Sequence, residues 1–91
     1  MAAIAIGDCT VTTEMALAGA MVIKVVTPAT ADDADTVDVS TVCSTTIYSA
    51  WVLGATDGLL PATSVSAAGV VTIPGSTDNE ARTIYVNCRG A

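Results

Sequence analysis

The sequence predicts an all-β domain, either an antiparallel β-sandwich or a small β-barrel, with about six to eight short strands. Two observations carry this prediction. Short runs of β-branched residues alternate with turn residues throughout the last third of the chain, from Thr63 to Arg89. Turn signals also recur along the rest of the sequence at a spacing that suits short strands. The pattern does not choose between a sandwich and a barrel.

The N-terminal part contains a weakly alternating segment and one clear strand. Residues 1–13 are predicted to be either a first strand or an extended arm that adds to the sheet edge of a neighbouring subunit. Residues 14–20 are rich in Ala and indicate one helical turn, whereas residues 21–27 have the composition of a strand that Pro28 ends. We therefore divide the chain into an arm or first strand at 1–13 and a single β domain at 14–91.

The middle of the chain predicts an acidic loop and then a long strand. Residues 28–35 bring three Asp residues together, which favours a solvated loop; a calcium site is the alternative, although the EF-hand spacing is missing. Residues 45–54 form the strand, and uninterrupted alternation puts Ile47, Trp51 and Leu53 on one face. A turn is predicted at 55–58, with Asp57-Gly58 at its centre.

Trp51 is expected to be the main anchor of the core. The chain has no Phe, and its other aromatic residues are Tyr48 and Tyr85. A buried indole ring would remove ~200 Å² of surface from water. The alternative role is a stacking platform for a sugar or a base, which normally needs more than one exposed aromatic residue.

Three strands are predicted in the last third of the chain. They cover residues 65–67, 69–73 and 82–88, with turn residues at 68–69 and at 74–79. Because these runs follow one another closely, we expect them to form an antiparallel meander.

The composition favours assembly over an isolated monomer. Apolar residues make up 52% of the 91 residues, and the mean hydropathy is +0.63. Small side chains bury little area each in a domain of this size, so we expect surplus apolar surface to contact other protein chains. The candidate contact residues lie in the N-terminal segment and in the strand that is apolar on both faces: Ala2, Ile4, Ile6, Met21, Ile23 and Val25.

The charge balance argues against a nucleic-acid partner. The net charge is −6, and the only cations are Lys24, Arg82 and Arg89, which supply no basic face for phosphates. The longest apolar run, residues 15–23, is far shorter than the ~20 residues that cross a bilayer. The N-terminus lacks the basic residues of a secretory leader. We therefore expect a soluble chain that has neither nucleic acid nor membrane as a partner.

Three cysteines, Cys9, Cys43 and Cys88, are too widely spaced for a zinc site, and the chain has no His. Reduced, half-buried thiols are the preferred interpretation, because free Cys is often buried as a small hydrophobic residue. One disulfide or an intermolecular bridge is the alternative. A bond between Cys9 and Cys88 would close the longest loop available.

No catalytic arrangement is indicated. Without His, a nucleophile would need a carboxylate or Lys24 as its base. The glycines stand singly in turns, so they form no phosphate-binding loop. Most carboxylates lie in loops without the aromatic residues that hold a sugar. We therefore expect no enzymatic activity, no cofactor and no metal.

Several segments taken together carry a resemblance. They are the stretch 28–32, the acidic run Asp35-Thr36-Val37-Asp38-Val39, the run Trp51-Val52-Leu53-Gly54, residues 70–73, and the turn Gly75-Ser76-Thr77-Asp78-Asn79 before residues 82–86. In this order they resemble the small virion structural proteins of tailed bacteriophages, of the head-decoration or cement type. The likeness covers most of the chain from Lys24 onward.

The resemblance implies a β-rich protein on the outside of a virion capsid, made in the host cytoplasm and commonly a homotrimer. Its partners would be the major capsid protein and copies of itself, and it would clamp adjoining capsid subunits against the pressure of the packaged DNA. Two other functions remain open. One is a β-sandwich that serves as an adhesion or carbohydrate-binding module on a fibre or surface, and the other is a subunit of a tail tube or filament.

Overall fold

Nine β-strands form two sheets within residues 2–90, the part of the chain that the computed structural model describes. The strands are β1 (Ala3–Ile4), β2 (Thr10–Leu17), β3 (Ala20–Val26), β4 (Thr36–Asp38), β5 (Ile47–Gly54), β6 (Gly58–Pro61), β7 (Ser64–Val65), β8 (Val70–Thr72) and β9 (Arg82–Cys88). A single 3₁₀ turn (Ile6–Asp8) lies between β1 and β2. The all-β prediction is confirmed. No helix in the described part of the chain has the length and apolar character to cross a membrane.

The two sheets have different sizes and make a small β-sandwich. The larger sheet has the strand order β2-β3-β9-β5-β6, and all its neighbours are antiparallel. The smaller sheet has the order β1-β4-β8-β7, in which only the β1–β4 pair is parallel. The expected meander of the last third is wrong in one respect. β7 and β8 do form a hairpin, but β9 crosses to the larger sheet and pairs there with β3 and β5.

The core lies between the sheets and follows the alternation of side chains along each strand. On β9, Ile84, Val86 and Cys88 are fully buried, whereas Tyr85 and Asn87 between them point away from the core. The other buried apolar residues come from both sheets and from the loops that join them: Ile23, Val25, Ala31, Val37, Val39, Cys43, Ala50, Val52, Val71 and Ile73. Each of these is Ala, Val, Ile or Cys, so among residues 2–90 no aromatic ring is buried in the core.

A bulge at the start of β5 decides which side chains of that strand reach the core. Ile47 pairs with Cys88 and Ser49 pairs with Asn87, which leaves Tyr48 as the extra residue. Beyond the bulge Ala50 and Val52 point inward, and Trp51 points outward with 45% of its surface exposed. The expectation that Trp51 anchors the core is therefore wrong, because one inserted residue shifts the alternation.

The N-terminal segment is part of the sandwich and not a separate arm. β1 pairs with β4, and the backbone N–H of Ala2 donates to the buried carboxylate of Asp35 at 2.9 Å. β2 begins at Thr10, so the predicted boundary after residue 13 would cut a strand. The predicted helical turn at 14–20 is also wrong, since these residues form the end of β2 and the hairpin turn into β3. Met1, which the arm prediction includes, lies outside the described residues.

A disulfide joins Cys43, in the loop after β4, to Cys88 at the end of β9. The two Cα atoms are 6.3 Å apart, a normal separation for a disulfide. The expectation of reduced thiols is therefore wrong for these two residues, and the Cys9–Cys88 bond does not form. Cys9 keeps a free, half-buried thiol. Burial raises the pKa of that thiol, with a smaller contribution from the neighbouring carboxylate of Asp8.

Candidate interaction surface

The larger sheet presents one side to the smaller sheet and leaves the other side uncovered. We call that uncovered side the outer face. It consists of the alternate residues of the central strands together with outward residues of the two edge strands. Its members are Thr10, Thr12, Met15, Leu17, Val22, Lys24, Val26, Ser49, Trp51, Leu53, Leu59, Pro61, Thr83, Tyr85 and Asn87.

The apolar residues of the outer face include its largest exposed side chains. Trp51 is opposite Tyr85 on β9 and Pro61 on β6. Leu53, 41% exposed, is opposite Leu59, 55% exposed. Single exposed apolar residues are normal in soluble proteins, but a contiguous group of them indicates an interaction site. These neighbours form such a group on β5 and β6.

A second apolar group lies at the other end of the same face. Met15 and Leu17 are exposed on β2, and Met15 is opposite the half-buried Val22. Met15 points outward because a bulge at Glu14 shifts the register between Thr13 and Met15. This group borders the β2–β3 turn, where the hydroxyl of Tyr48 donates to the carbonyl oxygen of Gly19 at 3.0 Å.

The outer face carries almost no net charge. Lys24 is its cation, and the Lys24 Nζ lies 3.9 Å from Oε1 of Glu14. Both side chains are well exposed, so the pair adds little to stability, but it neutralises the face. The other polar members are Thr, Ser and Asn. A partner that covers this face has no unpaired charge to desolvate in the described residues.

The carboxylates gather at one end of the sandwich, in the loops before β4, between β5 and β6, and before β9. We call this end the acidic end; its carboxylates are Asp32, Asp33, Asp35, Asp57, Asp78 and Glu80. They accept backbone N–H groups of the neighbouring loops: Asn79 donates to Asp32 at 2.9 Å, and Asp33 donates to Asp78 at 3.2 Å. No group of Cys, Asp or Glu side chains within residues 2–90 is arranged to hold a metal ion. The geometry therefore offers no support for the calcium alternative.

Arg82 holds the acidic end together. Its side chain is 1% exposed and donates to the carbonyl oxygens of Thr77 and Glu80, and to that of Ala31 at 3.4 Å. Its Nη2 lies 3.9 Å from Oδ2 of Asp57. The guanidinium thus joins the loop before β9 to the loop before β4, which is a structural role.

Two carboxyl groups beside Arg82 have a lowered pKa. Hydrogen bonds from Thr77 and from the backbone of Ser76, with the charge of Arg82, lower the pKa of Asp57. Hydrogen bonds from the hydroxyl and backbone N–H of Thr56 lower the pKa of Glu80, with the Arg82 charge contributing less. Both groups are stabilised as anions, so neither is suited to act as a general acid near neutral pH.

The predicted contact residues are divided between surface and core. Ala2 is exposed and Ile4, Ile6 and Met21 are half-buried, so these four keep some accessible surface. Ile23 and Val25 have none, because they point between the sheets and pack in the core. The expectation that Ile23 and Val25 form a contact surface is therefore wrong. The strand is apolar on both faces, and its other face, with Val22 and Val26, is the one that faces outward.

Sequence reasoning missed the β5–β6 part of the outer face. Leu53 and Leu59 lie three residues before and after Thr56, and the observed hairpin pairs them. The predicted turn at 55–58 would instead place Gly54 opposite Leu59, so the pairing of Leu53 with Leu59 depends on the observed three-residue loop at 55–57. The outward direction of Trp51 could not be predicted from the sequence, since it depends on the bulge at Tyr48.

A surface cleft of about 370 Å³ lies at the end of the sandwich opposite the acidic end. It is lined by Thr45, Thr46, Ile47, Val65, Ser66 and Ala67. The lining offers hydroxyl groups without a carboxylate, Lys or Arg that would activate one of them. It therefore presents no nucleophile and base of the kind that hydrolytic enzymes use.

No family model matches the sequence, and neither the curated proteins nor the solved structures include a significant match to it.

Proposed function

We propose that this chain is a virion structural protein of the head-decoration or cement type, which binds the outer surface of a capsid and stabilises the head. The observation that carries the proposal is the outer face, a broad apolar and nearly uncharged sheet surface that the monomer leaves uncovered. A surface of this kind fits protein contacts. The proposed partners are the major capsid protein and copies of the chain itself, and the proposal includes no catalytic step and no cofactor.

The disulfide agrees with a location on the virion exterior. Disulfides persist in oxidising surroundings such as virion surfaces and are rare in the reducing cytoplasm. The Cys43–Cys88 bond ties together a small domain whose buried apolar side chains are all Ala, Val, Ile or Cys. A protein made in the host cytoplasm would complete this bond after release, which suits a capsid exposed to the medium.

Binding to capsids tests the proposal directly. Capsids of the encoding phage, assembled without the chain, are mixed with increasing amounts of the oxidised chain and sedimented. We expect saturable cosedimentation at a fixed number of copies per capsid, and an increase in the temperature at which the capsids release DNA. Absence of cosedimentation at tens of micromolar chain would overturn the proposal. Bovine serum albumin at the same concentration controls for trapping in the pellet.

One observation favours a second candidate function, a carbohydrate-binding module. Trp51 is exposed and sits directly opposite Tyr85, so two aromatic rings lie side by side on one sheet face. Sugars stack on such platforms, but they also need polar groups to bind their hydroxyls. The nearest neighbours of Trp51 include Pro61 on one side, and Leu53 and Leu59 lie beyond. This apolar surrounding fits a protein surface better than a sugar.

Trp51 fluorescence distinguishes the two functions. The chain has one Trp, so its emission reports on this platform alone. Saturable quenching by a panel of neutral and acidic oligosaccharides, abolished in Tyr85→Ala, would establish the binding module. Unchanged emission at millimolar sugar would rule out the carbohydrate-binding function.

A further inference from the structure

We propose that the cleft between the start of β5 and β7 binds an extended peptide segment of another protein, which adds to β5 as a short strand. The walls of this cleft are residues 45–47 on one side and residues 65–67 on the other. Strand addition uses the backbone groups of an open sheet edge. The inference goes beyond the proposed function, because the site is separate from the outer face and does not depend on what covers that face.

The cleft begins where the chain after β6 leaves β5. β6 pairs with β5 from Trp51 to Gly54, and the N–H of Ala62 extends that hairpin by donating to the carbonyl oxygen of Ala50 at 3.0 Å. The chain then crosses to the smaller sheet, where it pairs with β8 as β7. In the described part of the chain, residues 47–49 of β5 therefore have β9 on one side and no strand on the other.

The backbone of Ile47 points into the cleft. Backbone groups of successive residues in an antiparallel strand point in opposite directions, so the hydrogen bond of a neighbour shows where Ile47 points. The N–H of Arg89 donates to the carbonyl oxygen of Thr46 at 3.0 Å, so the backbone of Thr46 faces β9. Ile47 is the next residue and lies opposite Cys88. Its N–H and C=O groups therefore face away from β9 and towards the open side of β5.

The opposite wall presents the backbone of Val65 in the same way. The N–H of Ser66 donates to the carbonyl oxygen of Val70 at 2.9 Å, so the backbone of Ser66 faces β8 and that of the preceding Val65 faces away from it. Two open edges thus direct backbone groups into one space. An extended backbone carries N–H and C=O groups at the matching spacing, so the edges themselves indicate a strand as the occupant.

The size and lining of the cleft specify a short, uncharged segment. Its volume is about 370 Å³. The three residues of the β5 wall extend over ~10 Å, so about three or four residues of an added strand fit beside them. The lining carries the hydroxyl groups of Thr45, Thr46 and Ser66 and no Asp, Glu, Lys or Arg. A charged side chain would find no partner there, whereas small and β-branched side chains suit an extended segment.

The β5 wall is held in place before any segment binds. Cys88 lies directly opposite Ile47 and is bonded to Cys43, in the loop that leads into this wall. The hydrogen bond between Arg89 and Thr46 fixes the same stretch to the strand that precedes it in the sheet. A wall that is ordered in advance loses little conformational entropy when a strand adds to it.

Another protein, and not a second copy of this chain, supplies the segment. The extended segments of residues 2–90 are already strands of the two sheets. A second copy therefore offers the edges of folded sheets, whereas a cleft between two diverging walls admits one free strand. A terminal or loop segment of another protein meets this requirement.

An NMR titration of the oxidised, ¹⁵N-labelled chain tests the proposal. The probe is the uncharged peptide acetyl-Thr-Val-Thr-Val-Thr-amide, added up to about 5 mM because a peptide this short binds weakly. We expect saturable shifts of the amide signals of Thr46, Ile47 and Val65, and no shift at Trp51 on the outer face. The matched control peptide is N-methylated at every backbone nitrogen; it keeps the side chains but donates no hydrogen bond, so it should cause no shift.

Two variants locate the binding site. Ala67→Trp fills the cleft from an exposed lining residue and should weaken peptide binding about 10-fold or more. Ala68→Trp places the same ring on the exposed neighbouring residue, which does not line the cleft, and should bind like the original chain. Thermal unfolding checks that both variants are folded, and the control peptide tests the original chain if one is not.

The proposal is overturned if the shifts fail to saturate, if they occur on the outer face instead, if the N-methylated peptide binds equally well, or if folded Ala67→Trp binds as tightly as Ala68→Trp. Each of these results leaves the decoration function intact, because that function rests on the outer face and on cosedimentation with capsids.

Discussion

Cys88, the last residue of β9, is bonded to Cys43 in the loop that leads from the smaller sheet to β5. β9 is the central strand of the larger sheet, so the disulfide ties the middle of one sheet to the segment that leaves the other. Both residues are buried in the core. The bond therefore acts where the two layers meet.

Removal of the disulfide should lower stability strongly. The bond spans 45 residues, and the entropy of closing such a loop corresponds to about 4 kcal/mol in the chain-entropy model. We expect the double variant Cys43→Ala, Cys88→Ala to lose about that much free energy of unfolding in urea. Cys9→Ser, which removes the half-buried free thiol, is the control and should lose less than about 1 kcal/mol. A double variant as stable as the original chain would contradict the structural role of the bond.

Arg82→Met should destabilise the fold by about 3 kcal/mol or more. The variant keeps the apolar stem but leaves the carbonyl oxygens of Thr77 and Glu80 without their buried donor, and Asp57 without its cation. Chemical denaturation measures the loss. Arg89→Met is the matched control, because Arg89 is exposed and directly follows β9. Its effect should stay within about 0.5 kcal/mol. Equal effects of the two substitutions would argue against the role assigned to Arg82.

Stability should fall in acid through Asp57 and Glu80. Their carboxyl pKa values lie below the ordinary values of 3.8 and 4.5, so the folded state binds protons less readily than the unfolded state. Their contribution is therefore fully present above the ordinary values and is lost as the pH falls through the lowered ones. Urea unfolding between pH 6 and pH 2.5 should show this decline.

The double variant Asp57→Asn, Glu80→Gln tests whether these two carboxylates cause the loss of stability in acid. It should be less stable near pH 6, because the anions are gone, and its stability should depend less steeply on pH below pH 4.5. Asp38→Asn is a useful comparison, since hydrogen bonds from Ser40 lower the pKa of this exposed carboxyl on the smaller sheet. An unchanged pH dependence in the double variant would assign the acid sensitivity to other groups.

Trp51 should contribute less to monomer stability than a smaller residue of the core. Trp51→Ala removes a side chain that is 45% exposed, so we expect a loss of about 1 kcal/mol at protein concentrations where the chain is monomeric. Ile84→Ala removes a fully buried side chain and should lose about 2–5 kcal/mol. Acrylamide should quench native Trp51 fluorescence readily in dilute samples. A larger loss for Trp51→Ala than for Ile84→Ala would place Trp51 in the interior.

Local sequence patterns were sufficient for most of the strands. The prediction for residues 82–88 matches β9, and the prediction for 21–27 differs from β3 by one residue at each end. The turn predicted at 55–58 is also present, as the loop 55–57 that joins β5 to β6 at Gly58. These elements depend on short-range preferences: β-branched residues favour extended backbone, and glycine with a positive φ, 76° at Gly58, permits the tight turn.

The candidate surface could not be predicted in the same way. A strand that is apolar on both sides, such as β3, has two possible inward faces, and its composition does not say which one meets the other sheet. Ile23 and Val25 face the core because the smaller sheet packs on their side of β3, and Val22 and Val26 on the other side face outward. On β5 a single extra residue, Tyr48, places Trp51 on the opposite face of the sheet from Ile47.

By itself, the sequence determined the all-β class, the position of the main strands, the acidic charge and the surplus of apolar residues. Tertiary structure alone decided that Cys43 pairs with Cys88, that β9 leaves the hairpin of β7 and β8 for the other sheet, and that Trp51 lies on the surface. The physical reason is the separation along the chain between the residues that interact. Strand and turn preferences act between neighbours in sequence, whereas disulfide pairing, sheet membership and burial depend on which distant segments pack together.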